Sequence, residues 1–429
     1  MTTTPPSITP AKQAAASTNN PRYVLWILAS MSALSFMDRQ ILAVIIEPVK
    51  AEFALSDLEI GIVTGLGFAL TFSMLGIPLG RVADRKDRRH LIAMCRGLGG
   101  AVAALGAAAG GFWQLAMTRA GGALSEAGSA PASMSMIADL FAPQQRSRAI
   151  SAFGVGASAG SLLALVAGGW LAQHWGWRWT LAAVGGASLL VALLFRLTVH
   201  EPARAAAPGT AGDARGATGQ IWRNPVARAL IVAAACVLMS AYSFGAWNFT
   251  YLVRYHHLSL AQAGLVSGTA AIGSVFGGLA SGMLTDYLVR RDLRWQIGVP
   301  LAGIACALPV SLVYFMVPPG QVGIVTVLVA LFAFFIASWA APTYAALSFV
   351  VAGERRATAN AMVLLASSVL GSGASPILIG GLSDLLTPVA GADALRYAMA
   401  MSMGLLLVAL GAFAVACRAY PAAHGDAAH

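Results

Sequence analysis

Charge is scarce in this chain: Asp, Glu, Lys and Arg make up only 10% of its 429 residues. A water-facing globule carries roughly 25% charged residues, so an ordinary soluble domain is excluded. With 58% hydrophobic residues and a mean hydropathy of +0.73, the chain needs a bilayer as its solvent. Cysteine is almost as rare. Cys95, Cys236, Cys306 and Cys417 fall in four different apolar runs with no CxxC or metal-ligand spacing, so they read as buried free thiols. Strictly alternating strands are missing too, which excludes a β-barrel. No G-x-x-x-x-G-K-[ST] loop is present, which speaks against an ATP-driven pump, and no HExxH or GxSxG motif suggests an enzyme. Gly97-Leu98-Gly99-Gly100 lies inside an apolar run, where it serves packing rather than a dinucleotide. No cofactor and no metal are expected. Residues 1–22 lack an apolar h-region and read as a cytoplasmic tail, not a signal peptide.

What is present is a succession of runs of roughly 20 apolar residues separated by short polar breaks. The predicted spans are Tyr23–Ile46, Leu58–Gly80, Leu91–Phe112, Leu115–Ala138, Ala149–Gln173 and Trp177–Thr198, then Val226–Leu252, Ala261–Thr285, Gln296–Val317, Val322–Val350, Ala357–Leu382 and Ala394–Cys417. This predicts an all-α membrane protein of twelve transmembrane helices in two six-helix halves. The layout is a tail at 1–22, a bundle at 23–199, a solvated cytoplasmic linker at 200–225, a second bundle at 226–417 and a tail at 418–429.

The net charge of +10 would suggest a nucleic-acid partner in a soluble protein, but here the bases sit in loops and set topology. Of the 27 Lys and Arg residues, only Lys50, Arg178, Arg254 and Arg396 fall on one side, while Arg39 and Arg119 lie within spans. The rest share the side of both termini, which is therefore expected to be cytoplasmic, in a multi-pass protein of a bacterial inner membrane. The halves also repeat. Leu55-Ser56, Gly61, Gly80 and Asp84 return as Leu258-Ser259, Gly264, Gly282 and Asp286 at an offset of 202 to 203, and Pro131 and Gly169 return as Pro342 and Gly380 at 211. Duplicated six-helix units place a substrate site near the midplane between them.

The segment Gly80-Arg81-Val82-Ala83-Asp84-Arg85-Lys86-Asp87-Arg88-Arg89 resembles the loop 2–3 signature of the major facilitator superfamily, with Asp87 where the family usually has Gly. Within it, Phe36-Met37-Asp38-Arg39, Ser125-Glu126-Ala127 with Pro131, Ile137-Ala138-Asp139-Leu140-Phe141 and Gln145-Arg146-Ser147-Arg148 resemble the spinster branch. The resemblance implies a secondary transporter working by alternating access. It also implies a cytoplasmic gate at Asp84, Arg85 and Arg88, to which Asp139 and Arg146 are added. Gly76 and Gly80 are expected to let helices approach closely there. In the fifth span, Gly154, Gly156, Gly160, Gly168 and Gly169 offer small faces for packing or rocking.

Only Asp38, Arg39, Arg119 and Glu126 are read as charges within the spans rather than at their ends, and a charge at the bilayer centre costs about 2.5 to 3.5 kcal/mol. Such residues should face a cavity or one another. Arg119 and Glu126 are seven residues apart and so share a helix face. Desolvation raises a carboxyl pKa and a nearby Arg lowers it, so a rearranging cluster can load and release a proton. Asp38 and Glu126 are the candidates for proton coupling, since Arg cannot serve. All seven histidines lie in loops or at ends. The bland alternative is a structural ion-pair lock.

The second half offers Tyr242, Trp247, Asn248 and Tyr251 in the seventh span, with Trp339 and Tyr344 in the tenth. A wall charged at Arg39 and Arg119 and a wall of aromatics suit an amphipathic organic anion. The spinster resemblance implies lysolipid or sphingoid compounds. Proton symport of a small or aromatic carboxylate, and a non-transporting receptor or scaffold, stay open. The expected partners are the bilayer, protons and the substrate, with the chain as a monomer.

Overall fold

A computed structural model describes residues 20–202, 214–352 and 355–428. No strand occurs among them. Their helices are α1 (Pro21–Phe53), α2 (Asp57–Gly61), α3 (Gly67–Arg85), α4 (Arg88–Leu105), α5 (Phe112–Leu140), α6 (Pro143–Thr198), α7 (Ala214–Arg223), α8 (Pro225–Arg254), α9 (Leu260–Val289), α10 (Trp295–Met316), α11 (Val322–Ile336), α12 (Ala340–Val350), α13 (Arg356–Ala366), α14 (Ser375–Ala390), α15 (Ala394–Ser402) and α16 (Leu405–Ala428). Two π-helical segments, Ile62–Leu66 and Ser367–Ala374, lead into α3 and α14.

Local sequence sets the boundaries. Asn20 caps α1 by accepting from the Arg22 N–H at 3.0 Å, and Pro21 at the first position needs no donor partner. The repeated Leu-Ser pairs do the same work twice. Ser56 forms a capping box with Glu59 at α2, and Ser259 forms one with Gln262 at α9. Within α6 the backbone leaves helical geometry at Gly176, with φ 80°, which only glycine adopts freely, and this divides the expected fifth and sixth spans.

Among the described residues nine stretches are long and apolar enough to cross a membrane. Two of these, of 55 and 64 residues, exceed the roughly 20 that one crossing needs. Helix α5, which carries Arg119 and Glu126, falls outside the nine.

In the first half α1 lies along α6, and α4 lies against α5 and α6; in the second, α9 packs on α11 and α8 on α16. The halves meet where α2 touches α14 and α6 touches α9. A Cβ on Gly61 would come 2.5 Å from the Pro376 carbonyl oxygen, so this seam depends on its absence. Hydrogen bonds across the seam gather at the end opposite the N-terminus of α1. There Asp384 of α14 accepts from the Asp57 and Leu58 amides at 3.0 and 2.8 Å, and Gln173 accepts from the Ala261 amide at 2.9 Å. Towards the other end, Gly76 and Gly80 have nothing within 4 Å of an added Cβ. The close approach expected there is not made on the face that carries these glycines, whereas Leu79, Val82 and Ala83 at the same end of α3 are packed into the first half.

The linker also departs from expectation. Its described part holds α7, and Glu201 and Pro202 are docked on Arg88 rather than solvated.

Candidate substrate and coupling site

Asp38 and Arg39 project from α1, and Arg119 and Glu126 from α5. Arg119 is 5% exposed and donates to the Asp38 carbonyl oxygen at 3.0 Å, while its guanidinium lies 3.6 Å from the Asp38 carboxylate. Gly122 makes room for that carboxylate: an added Cβ would sit 2.8 Å from Asp38 Oδ2. Arg39 lies 3.7 Å from Glu126, and its guanidinium stands over the rings of Phe68 and Tyr242 at 4.3 and 5.5 Å. Both ion pairs are longer than the 2.7–2.9 Å of a strong charge-assisted bond. Asp38 Oδ1 and Glu126 Oε2 are buried without a partner.

A third guanidinium belongs to this cluster. Arg96 of α4 is 1% exposed and donates to Ser125 Oγ at 2.5 Å and to the Met31 carbonyl oxygen. The expectation of four buried charges is thereby corrected to include it. At about 12 Å along α4 from Arg88, its position is inside the bundle rather than in the basic loop.

Two cavities adjoin the cluster and share Gln40, Ala241 and Gly245. One, of about 250 Å³, has Arg39, Arg119, Thr64, Tyr242 and Ser372 in its wall. The other, of about 290 Å³, is bounded by Phe36, Phe244, Phe332 and Asn248. Both lie between α1 and α8, one wall from each half. Taken together they offer two guanidiniums at one end and aromatic surface at the other.

The sequence profile of the Major Facilitator Superfamily matches residues 28–376, most of the chain. The chain belongs to this superfamily. It is 36% identical over 386 residues to an MFS-type efflux pump of Mycolicibacterium smegmatis, covering 89% of this chain and 88% of that protein. It is 26% identical to protein spinster homolog 1 of Rattus norvegicus, covering 85% and 73%. A crystal structure of a bacterial homologue of the human lysosomal transporter spinster, inward-facing and unoccupied, superposes with a TM-score of 0.82 at 25% identity, covering 95% of this chain and 99% of that one. These place it in the spinster branch, as a membrane transporter and not an enzyme.

In this transporter the expected aromatic wall divides. Tyr242 and Asn248 reach the cavities, Asn248 also accepting from Tyr314 Oη at 2.5 Å. Trp247 is fully buried, its indole N–H bonded to the Pro376 carbonyl oxygen at 3.1 Å, and Tyr251 stacks on Tyr255 within the core. Trp339 and Tyr344 pair with each other at 5.9 Å, apart from both cavities.

Of the expected gate residues, Arg88 and Asp139 are brought together, whereas Arg146 stands apart from them. Arg88 is buried within the first half, bonded to Asp139 at 2.5 Å, Glu201 at 2.6 Å and Ser135 at 2.9 Å. Arg146 donates to the Phe141 carbonyl oxygen at 3.1 Å. The side chains of Asp84 and Arg85 lie outside the described residues.

Sequence reasoning passed over the opposite end. Asp57, 1% exposed, accepts from Lys50 at 2.5 Å, Ser383 at 2.6 Å and Arg254, and Arg254 also reaches Glu47 at 2.7 Å. The available signal was that Lys50 and Arg254 are two of the few bases on their side.

Proposed function

We propose that this protein is a proton-coupled secondary transporter that moves an amphipathic, lipid-like molecule with an anionic group by alternating access. The carrying observation is the two loose pairs, Asp38 with Arg119 at 3.6 Å and Arg39 with Glu126 at 3.7 Å, set beside a cavity that exposes both guanidiniums. A carboxylate with an unpartnered oxygen takes a proton readily once its guanidinium turns to another anion. The substrate's acid group is that anion in this reading, held at Arg39 and Arg119, with its apolar body along Phe36 and Phe244. Likeness to an efflux pump favours export, and likeness to spinster proteins favours lysolipid or sphingoid compounds.

The termini are read as cytoplasmic in a bacterial inner membrane, with the chain working as a monomer. Twelve crossings follow if the 55- and 64-residue stretches each cross twice and α5 crosses once. Bundles at 23–199 and 226–417 then flank the linker at 200–225. In this reading the present conformation is inward-facing, closed by Asp57 and Arg254. The cytoplasmic latch through Asp84, Arg85 and Arg88 belongs to the opposite state.

Uptake or loss of a labelled lysolipid from proteoliposomes, with and without an imposed pH gradient, tests the reading. Gradient-dependent movement is expected. Movement indifferent to the gradient overturns the coupling, and no movement of the lysolipid overturns the substrate class.

A further inference from the structure

The Gln145-Arg146-Ser147-Arg148 motif is only partly used by the scheme above: Arg146 braces the chain locally, but Gln145 and Arg148 do neither gating nor coupling. Both line a separate crevice of about 560 Å³ at the end of the molecule that carries the N-terminus of α1. Its rim holds Arg22 from the first turn of α1 and Arg148 from the second turn of α6, with Gln145 beside them. Its inner wall is apolar, formed by Leu25, Phe141 and Ala149. Trp26 flanks it and is 72% exposed.

Three features define what fits. First, neither Arg22 nor Arg148 has a carboxylate within ion-pairing distance among the described residues, so two guanidiniums are available to one anion. Arginine's planar fork matches phosphate oxygens in pairs. Second, an exposed Trp beside Arg at the end of a spanning helix marks the depth of lipid headgroups, with acyl chains beginning one or two turns below. Third, the crevice is closed off from the central cavities. Further along the same helices, Gly156 lies against the Ala29 carbonyl oxygen and Gly160 against that of Ala33, so α1 and α6 are in direct contact there. A molecule in the crevice therefore sits beside the transport path, not on it.

We propose that this crevice is a binding site for an anionic phospholipid of the surrounding bilayer, its phosphate held between Arg22 and Arg148 and its chain start against Leu25, Phe141 and Trp26. Bound there, the lipid bridges the first turns of α1 and α6 and braces the mouth of the first half.

Native mass spectrometry of the full-length protein, released from nanodiscs of phosphatidylglycerol or phosphatidylcholine, tests this. Phosphatidylglycerol should be retained in preference to phosphatidylcholine. Since each base near the surface is worth about 1 kcal/mol, Arg22→Gln with Arg148→Gln should lower its affinity roughly thirtyfold. Ala152→Trp should release the lipid by filling the crevice with the charges intact, whereas Arg228→Gln, at another basic position, should change nothing. Full retention by the double variant and by Ala152→Trp would overturn the site. Displacement of the lipid by millimolar inorganic phosphate would overturn the lipid assignment in favour of a soluble phosphoryl ligand.

Discussion

Arg254 donates to both carboxylate oxygens of Asp57, at 2.8 and 3.0 Å, and so ties the end of α8 to the start of α2 across the seam between the halves. Asp384 adds a second tie by accepting the first amides of α2, where a helix N-terminus favours negative charge. Because Asp57 is buried, removing its guanidinium leaves a charge without its main partner.

Arg254→Gln should therefore weaken closure at this end by on the order of 3 kcal/mol, a shift of roughly 100-fold in the balance of conformations. Spin-label distances between Leu58 and Leu385 are expected to lengthen in the variant. Unchanged distances would reduce the pair to a local contact.

Arg88 has the opposite character. It joins α4 to Asp139 of α5 and to Glu201 inside one half, so Arg88→Gln should cost about 3 kcal/mol of stability and lower the thermal midpoint by several degrees. Asp84→Asn, by contrast, should leave the midpoint near wild type and raise cysteine accessibility at the mouth opposite Asp57. If Arg88→Gln left the midpoint unchanged, Arg88 would act only as a gate.

His256 carries a pH dependence. It is 5% exposed, faces the rings of Tyr251 and Tyr255 at 5.2 and 5.0 Å, and both its ring nitrogens lack partners. Burial first, then the neighbouring His257 and Arg396, hold its imidazole down at about 4 against an ordinary 6.5; Asp393 pairs with that Arg396. Between those values the unfolded chain binds a proton that the folded chain does not. Stability is thus present above 6.5 and is lost as pH falls towards 4. His256→Gln should flatten the fall in thermal midpoint across this window. An equal fall in variant and wild type would contradict the assignment.

Much of this was legible in the sequence because burying charge is expensive: Asp38, Arg39, Arg119 and Glu126 had to converge, and they do. The Leu-Ser repeats were legible only as a sign of duplication, and their local role as capping boxes with Glu59 and Gln262 emerges from the structure. Arg96 was not legible, since its place behind a run of loop bases let it pass as one of them. Asp57 and Arg254 are 197 residues apart and sit at helix ends, where charge alone implies only solvation. The aromatics of α8 divide for a geometric reason. At 100° per residue Trp247 and Tyr251 fall 140° and 180° from Tyr242, so the helix that turns Tyr242 to the cavity turns the other two into the core.

In the proposed function, the Asp38, Arg39, Arg119 and Glu126 cluster couples protons to transport. Its most direct test is substrate accumulation in proteoliposomes under an imposed pH gradient, comparing wild type with Glu126→Gln and Asp38→Asn. Both substitutions imitate the protonated acid, so each should abolish gradient-driven accumulation, by at least tenfold, while substrate binding in detergent persists. Full gradient-driven accumulation by both variants would leave the cluster a structural lock with the coupling elsewhere.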